Sequence, residues 1–187
     1  MTAAFPEDLI ITISGPAGSG KSHCATRIAQ RFGIPCHSAG SVFRTMAAER
    51  GVPVVEFSKI AEADPEIDRE VDRRTADLAK KGASVMEGRL VAWFSGRERR
   101  LSFYLTAPFE ERARRIAERE SISLKDASFR TRAREASERR RYKKLYSLDI
   151  SDLSSYDFVI NTAKWDKEAI IDLLESIISL HIKHGGP

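Results

Sequence analysis

Apolar residues in this chain fall into short β-branched runs, separated by stretches in which they recur every three or four positions. Leu9-Ile10-Ile11-Thr12-Ile13 is one such run, closed by Gly15 and Pro16, and it has the unbroken hydrophobicity of a strand buried on both faces. Ala25, Ile28, Ala29 and Phe32 keep helical spacing until Gly33 and Pro35 end the pattern. A second short strand is expected over 35–38, followed by small helices over 42–50 and 54–61. Ile67, Val71, Leu78 and Ala79 form a narrow apolar stripe on an otherwise charged helix over 66–81. Further strands are expected at 83–86, 101–105 and 158–160. Pro108 opens a helix over 109–120, and Ser123 caps another over 123–142 with Asp126 in its first turn. Ile170, Ile171, Leu174, Ile177 and Ile178 mark a closing amphipathic helix over 165–181. Strands alternating with helices predict an α/β fold with a parallel sheet covered on both faces, and a ligand at the carboxyl ends of the strands.

A length of 187 residues fits one domain, and burying about 70% of the chain's surface would make disulfide or metal staples unnecessary. Cys24 and Cys36 lie in expected core elements without C-x-x-C spacing, so no disulfide is expected and a reducing compartment fits. The start MTAAFPEDLI lacks the basic and apolar regions of a secretory leader, and no apolar run is long enough to span a bilayer; the expectation is a cytoplasmic protein. The net charge of +4 is gathered between Arg97 and Lys144 and needs its own explanation.

Gly15-Pro16-Ala17-Gly18-Ser19-Gly20-Lys21-Ser22 satisfies G-x-x-x-x-G-K-[ST] between an expected buried strand and an expected helix. The glycines let backbone N–H groups point at phosphate oxygens, Lys21 reaches the β- and γ-phosphates, Ser22 suits Mg²⁺, and the helix N-terminus favours anions. Nucleotide binding follows, with His23 at the edge of the cradle. A GTPase would carry an N-K-x-D guanine loop, whereas the last expected strand runs into Asn161-Thr162-Ala163-Lys164.

Three further groups of residues carry a family likeness: Ser38-Ala39-Gly40-Ser41-Val42-Phe43-Arg44, Glu87-Gly88-Arg89-Leu90, and Arg134-Glu135 with Glu138 and Arg141-Tyr142. The chain resembles nucleoside monophosphate kinases, and in particular the archaeal-type cytidylate kinases, over nearly its whole length. The stretch Asp64-Pro65-Glu66-Ile67-Asp68-Arg69-Glu70 shares in that likeness. The resemblance implies a three-layer P-loop kinase core with a five-stranded parallel sheet, a small helical monophosphate-binding insert at about 39–66 and a helical lid at about 121–141. The core then covers 7–38, 67–120 and 142–187. It also implies ATP and Mg²⁺ as cofactors and CMP or dCMP as acceptor.

Carried over by position, Arg44 and Arg89 are expected to grip the acceptor phosphate, with Ser38 and Ala39 lining the base or ribose. A guanidinium fork pairs bidentately with phosphate and stays charged at any working pH. The resemblance places Arg115 near the donor adenine and Arg119 near its phosphates, while Arg134 and Arg141 reach across from the lid. Those two lie seven residues apart and share a helical face with Glu138, which would accept from the cytosine amino group. Glu87 is a candidate for a metal-bound water or for a loop hydrogen bond, and Trp93 is expected to be a packing residue. The other arginines of the cluster have glutamates at helical spacing and form weak surface pairs.

A phosphate monoester acceptor with a second pKa near 6 is mostly ionised at neutral pH and needs no general base. Catalysis then rests on alignment, charge cancellation and exclusion of water. UMP or AMP remains an alternative acceptor. From another class, the rival is a nucleotide-gated RNA-binding module, against which stands the lack of aromatic residues among the arginines. The expected partners are small molecules, without nucleic acid or membrane, acting on a monomer.

Overall fold

The computed structural model describes residues 4–95 and 99–185. Five strands form one parallel sheet: β1 (Ile10–Ser14), β2 (Cys36–Ser38), β3 (Ser84–Glu87), β4 (Arg100–Thr106) and β5 (Phe158–Asn161), in the order β2-β3-β1-β4-β5. The unbroken apolar run proposed for the first strand is buried at every position and lies at the centre, with Ile11 beside Val85 on one side and Leu101 on the other. Helices α1 (Lys21–Phe32) and α8 (Lys167–His184) share the main core with β1 and β4. Phe103 is fully buried there and stacks on Phe158 at 5.4 Å. Phe103→Ala is expected to lower stability by about 3–5 kcal/mol in urea unfolding, and a loss under about 1 kcal/mol would contradict this core assignment.

Between β2 and β3 the chain makes α2 (Ala39–Glu49), α3 (Val54–Ala63) and α4 (Pro65–Ala79). Met46, Ala47, Phe57, Ile67 and Val71 give these helices a small core of their own. After β3 come a single-turn helix, α5 (Val91–Phe94), and β4. Helices α6 (Phe109–Glu120) and α7 (Leu124–Tyr146) then lead to β5, and a 3₁₀ turn over Thr162–Lys164 precedes α8.

The differences from the sequence reading have local causes. Helix α7 continues past Tyr142 to Tyr146, where Ser147 takes a left-handed conformation at φ 56° and stops it. The closing helix starts at Lys167 rather than Trp165, because the Asp166 side chain caps it by accepting from the Ala169 N–H at 2.8 Å. Cys36 is exposed, not in the core, because β2 is the edge of the sheet; Cys24 is buried, and both thiols are free. Arg97, one end of the basic stretch, lies outside the described residues. Among the described residues no helix is long and apolar enough to cross a membrane.

Candidate active site

The loop after β1 and the carboxyl ends of the other strands meet in a cleft of about 1460 Å³, roofed by α7. The Gly15–Ser22 loop takes its shape from its glycines. Gly18 has φ 78°, in the left-handed region, and a Cβ there would run into the backbone of Arg112 on α6. Lys21 and Ser22, the first residues of α1, line the cleft together with Ala17 and Gly18. Gly15, Pro16 and Ser19 are buried, whereas Gly20 and His23 belong to a smaller pocket of about 80 Å³.

Lys21 is largely enclosed, and its ammonium lies 3.5 Å from the Glu87 carboxylate at the end of β3. Burial lowers its pKa, Glu87 opposes the drop, and the charges of Arg89 and Arg134 add to it. The other Glu87 oxygen accepts from the Ser38 hydroxyl at 2.6 Å. Ser38 also caps α2 by accepting from the Ser41 N–H, so this one side chain ties the acceptor-side helix to the strand end. Gly88 lets the two approach, since a Cβ there would sit 2.9 Å from the Ala39 side chain. Arg44, one turn further along α2, lines the cleft and has no ion pair among the described residues.

Arg89 projects from the turn after β3, with Nη2 2.7 Å from Glu138 Oε2 and 3.7 Å from Glu135 Oε1. Arg134 Nε donates to the other Glu138 oxygen at 2.7 Å. Burial opposes ionisation of Glu138, but Arg89 and Arg134 outweigh it and hold its carboxyl below the ordinary range. In this structure one Glu138 oxygen accepts from Arg134 and the other lies against the Arg89 guanidinium as an ion pair. Arg141, on the same helix, pairs instead with Asp68 of α4 at 2.6 and 2.8 Å. These contacts lay α7 across the cleft, and a Ser137–Glu62 hydrogen bond at 3.1 Å joins it to α3.

On the other side of the phosphate loop, Arg115 donates to the Thr162 hydroxyl at 2.9 Å and to the Thr162 carbonyl at 3.1 Å. The Thr162 hydroxyl lies 3.1 Å from the Ser19 carbonyl, which fastens the loop to the end of β5. Arg115, His23, Thr162 and Trp165 line the small pocket. Arg119 is well exposed, pairs with Glu120 at 2.6 Å and lines the main cleft. Trp93 is a packing residue, edge-on to Tyr156 at 5.4 Å.

Arg112, one of the arginines of the basic stretch, is not a surface residue. It is 7% exposed and donates to the carbonyls of Ala107 and Ala17 at 3.0 and 2.9 Å and to Glu135 at 2.6 Å. One guanidinium thereby joins the phosphate loop, the end of β4 and the roof helix. Its nearest sequence neighbours give no hint of this, because the partners lie on three other segments. Asp72, hydrogen-bonded to Tyr146 at 2.6 Å, was also missed. A usable signal existed there: Asp68 and Asp72 each follow a residue of the buried stripe, Ile67 and Val71, and so share the stripe's edge.

A parallel sheet with a glycine loop at its switch point, and a cleft lined by Lys21 and several arginines, defines a P-loop kinase. Solved structures with this fold include a shikimate kinase from Acinetobacter baumannii (TM-score 0.58, 16% identity, 97% of each chain). Another is a gluconokinase from Sinorhizobium meliloti (TM-score 0.62, 12% identity, 96% of this chain and 97% of that one). Residues 10–164 match the model of the cytidylate kinase-like family, and this chain belongs to that family. The cytidylate kinase of Pyrococcus horikoshii is 46% identical over 93% of this chain and 91% of its own length. That of Methanocaldococcus jannaschii is 45% identical over 91% and 97%. The chain is accordingly a kinase.

Proposed function

We propose that this kinase transfers the γ-phosphoryl group of ATP directly to CMP and dCMP in a single in-line step. The observation that carries the reading is the convergence of Lys21, Arg89 and Arg134 on two buried carboxylates, Glu87 and Glu138, inside one cleft. Cations gathered this closely need anions. In the free protein two carboxylates supply the charge, and during turnover the phosphates of the two nucleotides do. The named activity of the relatives favours CMP among monophosphates.

On this reading the cradle Gly15, Pro16, Ala17, Gly18, Ser19, Gly20, Lys21 and Ser22 holds the donor phosphates. Its backbone amides are fixed by the Gly18 turn and by Arg112 on the Ala17 carbonyl. His23 and Arg115 belong to the donor-base pocket, and Arg119 to the donor phosphates. Arg44 and Arg89 grip the acceptor phosphate, Ser38 and Ala39 line its nucleoside, and Arg134 and Arg141 close from the lid. Glu138 acts here as a spacer that holds the Arg89 and Arg134 guanidinium groups apart until phosphate takes over that role.

Mg²⁺ fits the chemistry of the site: the Ser22 hydroxyl lines the cleft, Glu87 is a buried carboxylate there, and no other His, Cys, Asp or Glu group among the described residues forms a metal cage. A hard cation that would be held largely through substrate phosphates and water, with the Ser22 hydroxyl, needs no such cage. When bound, it neutralises donor phosphate charge and orients the γ-phosphoryl group. No side chain has to remove a proton, because the acceptor oxygen is already ionised near neutral pH. The proteinaceous work is alignment, charge cancellation and exclusion of water by α7. The insert at about 39–66 and the lid at about 121–141 are read as the moving parts, within a cytoplasmic monomer that needs neither nucleic acid nor membrane.

Initial rates with CMP, dCMP, UMP and AMP at saturating ATP and Mg²⁺ test the assignment. CMP and dCMP are expected to give the highest kcat/KM. Equal or faster turnover of UMP or AMP would overturn the choice of acceptor while leaving the kinase reading in place.

A further inference from the structure

Glu135 follows Arg134 on α7 and reaches α6, where its Oε1 accepts from Arg112 Nη1 at 2.6 Å and its Oε2 from Nη2 at 3.4 Å. The same Nη1 donates to the Ala17 carbonyl of the phosphate loop at 2.9 Å. Glu135 Oε1 also lies 3.7 Å from Arg89 Nη2. One carboxylate oxygen thus stands between the arginine that fixes the donor loop and the arginine read as the grip on the acceptor phosphate. The side chains of Arg112, Arg89 and Glu135 are only 9%, 14% and 25% exposed, so solvent and salt screen their charges little. Tyr104 of β4 lies in the same field, since the charges of all three bear on its hydroxyl. A contact that only pinned α7 to α6 would need Arg112 alone; the approach of Arg89 adds a link to the acceptor side.

We propose that Glu135 is a positioning residue that couples the two substrate sites: it steadies the donor loop through Arg112, responds to the acceptor through Arg89, and makes each nucleotide bind more tightly when the other is present. The proposal rests on the reading of Arg89 as the acceptor grip and deepens it. In the free protein Arg89 divides its charge between Glu138 at 2.7 Å and Glu135 at 3.7 Å. An acceptor phosphate that takes Arg89 leaves Glu135 to Arg112 alone, and the added negative charge drives the Glu135 carboxylate the same way. The Arg112 pair then tightens and holds α7 to the phosphate loop, with the Ala17 carbonyl fixed and the loop amides turned to the donor. Such coupling is reciprocal, so a donor in the loop favours the acceptor by the same factor.

The competing account is that Glu135 only joins α7 to α6. The two are separated by the factor by which CMP lowers the Kd of a non-hydrolysable ATP analogue, read by isothermal titration calorimetry with Mg²⁺. In the wild type that factor is expected to be about 5 to 20. Glu135→Gln keeps the shape and a hydrogen bond to Arg112 but removes the charge that reaches Arg89, and the factor is expected to fall below about 2. Loss of a joint between helices alone would weaken the analogue equally with and without CMP. An unchanged factor in the variant, or a wild-type factor of about 1, therefore overturns the proposal. Glu135→Asp keeps the charge but draws it back by one methylene, too short to serve both arginines, and an intermediate factor of about 2 to 5 is expected. Should Glu135→Gln not fold, a wild-type factor in Glu135→Asp overturns the proposal instead. CMP titrated alone keeps the two claims apart. A wild type that binds and phosphorylates CMP, with variants of unchanged factor, removes the coupling role and leaves the activity standing; a wild type that binds no CMP overturns the acceptor reading and the proposal with it.

Discussion

Lys21→Ala is expected to lower turnover about a thousandfold while the chain keeps its circular dichroism spectrum and its cooperative unfolding. The reasoning begins with the position of Lys21 at the first residue of α1, where it projects along the floor of the cleft with its ammonium nearly enclosed. Burial and two arginines press it toward the neutral form, and Glu87, with a smaller part from Glu138, opposes them. A donor triphosphate supplies several more negative charges at that point, so the ammonium is bound more strongly in the complex than in the free protein. Charge that spreads onto the transferring oxygens in the transition state strengthens the interaction again. Alanine removes it without touching the sheet or the α1–α8 core. Activity within about tenfold of wild type would show that phosphoryl transfer does not pass Lys21.

Arg89→Ala should produce the second large effect, and on a different kinetic constant. A fall of about 100- to 1000-fold in kcat/KM for CMP is expected, with the KM for ATP changed less than about threefold. Arg89 follows Glu87 and Gly88 at the end of β3, where Gly88 packs close to Ala39, and its guanidinium is already held by Glu138 at 2.7 Å. On the proposed function an acceptor phosphate exchanges for that carboxylate, and Arg89 trades a monoanion with two oxygens for a dianion with three. Removing Arg89 also leaves Glu138 buried beside Arg134 alone, which costs stability. Arg89→Lys controls for this: it preserves the charge but not the planar fork, and an intermediate loss on the CMP side is expected. Equal effects on ATP and CMP would place Arg89 outside the acceptor site.

The parts of the fold that were legible in the sequence are those in which local pattern and tertiary environment agree. The run from Leu9 to Ile13 reads as a central strand because both of its faces are buried, and the structure buries them. The glycine loop reads as a phosphate cradle because its residues are constrained by backbone geometry, independent of distant contacts. Ser123 as a cap and Gly33 as a stop belong to the same class. What the sequence withheld depends on partners far along the chain. Arg112 looks like any other arginine on a charged helix, yet it is buried by Ala17, Ala107 and Glu135, which come from three separate segments. Glu138 lies midway between Arg134 and Arg141 on one helix, but its second partner, Arg89, arrives from β3, and Arg141 turns to Asp68 instead. Charge pattern on one helix therefore could not assign these pairs, because the choice is made by what α7 lies against.

Label transfer tests the central claim most directly. Purified protein supplied with CMP, Mg²⁺ and ATP labelled on its γ-phosphorus should place the label on the β-phosphorus of CDP in equal measure to the ADP formed. Label recovered only as inorganic phosphate, with no labelled diphosphate from CMP, would contradict the account.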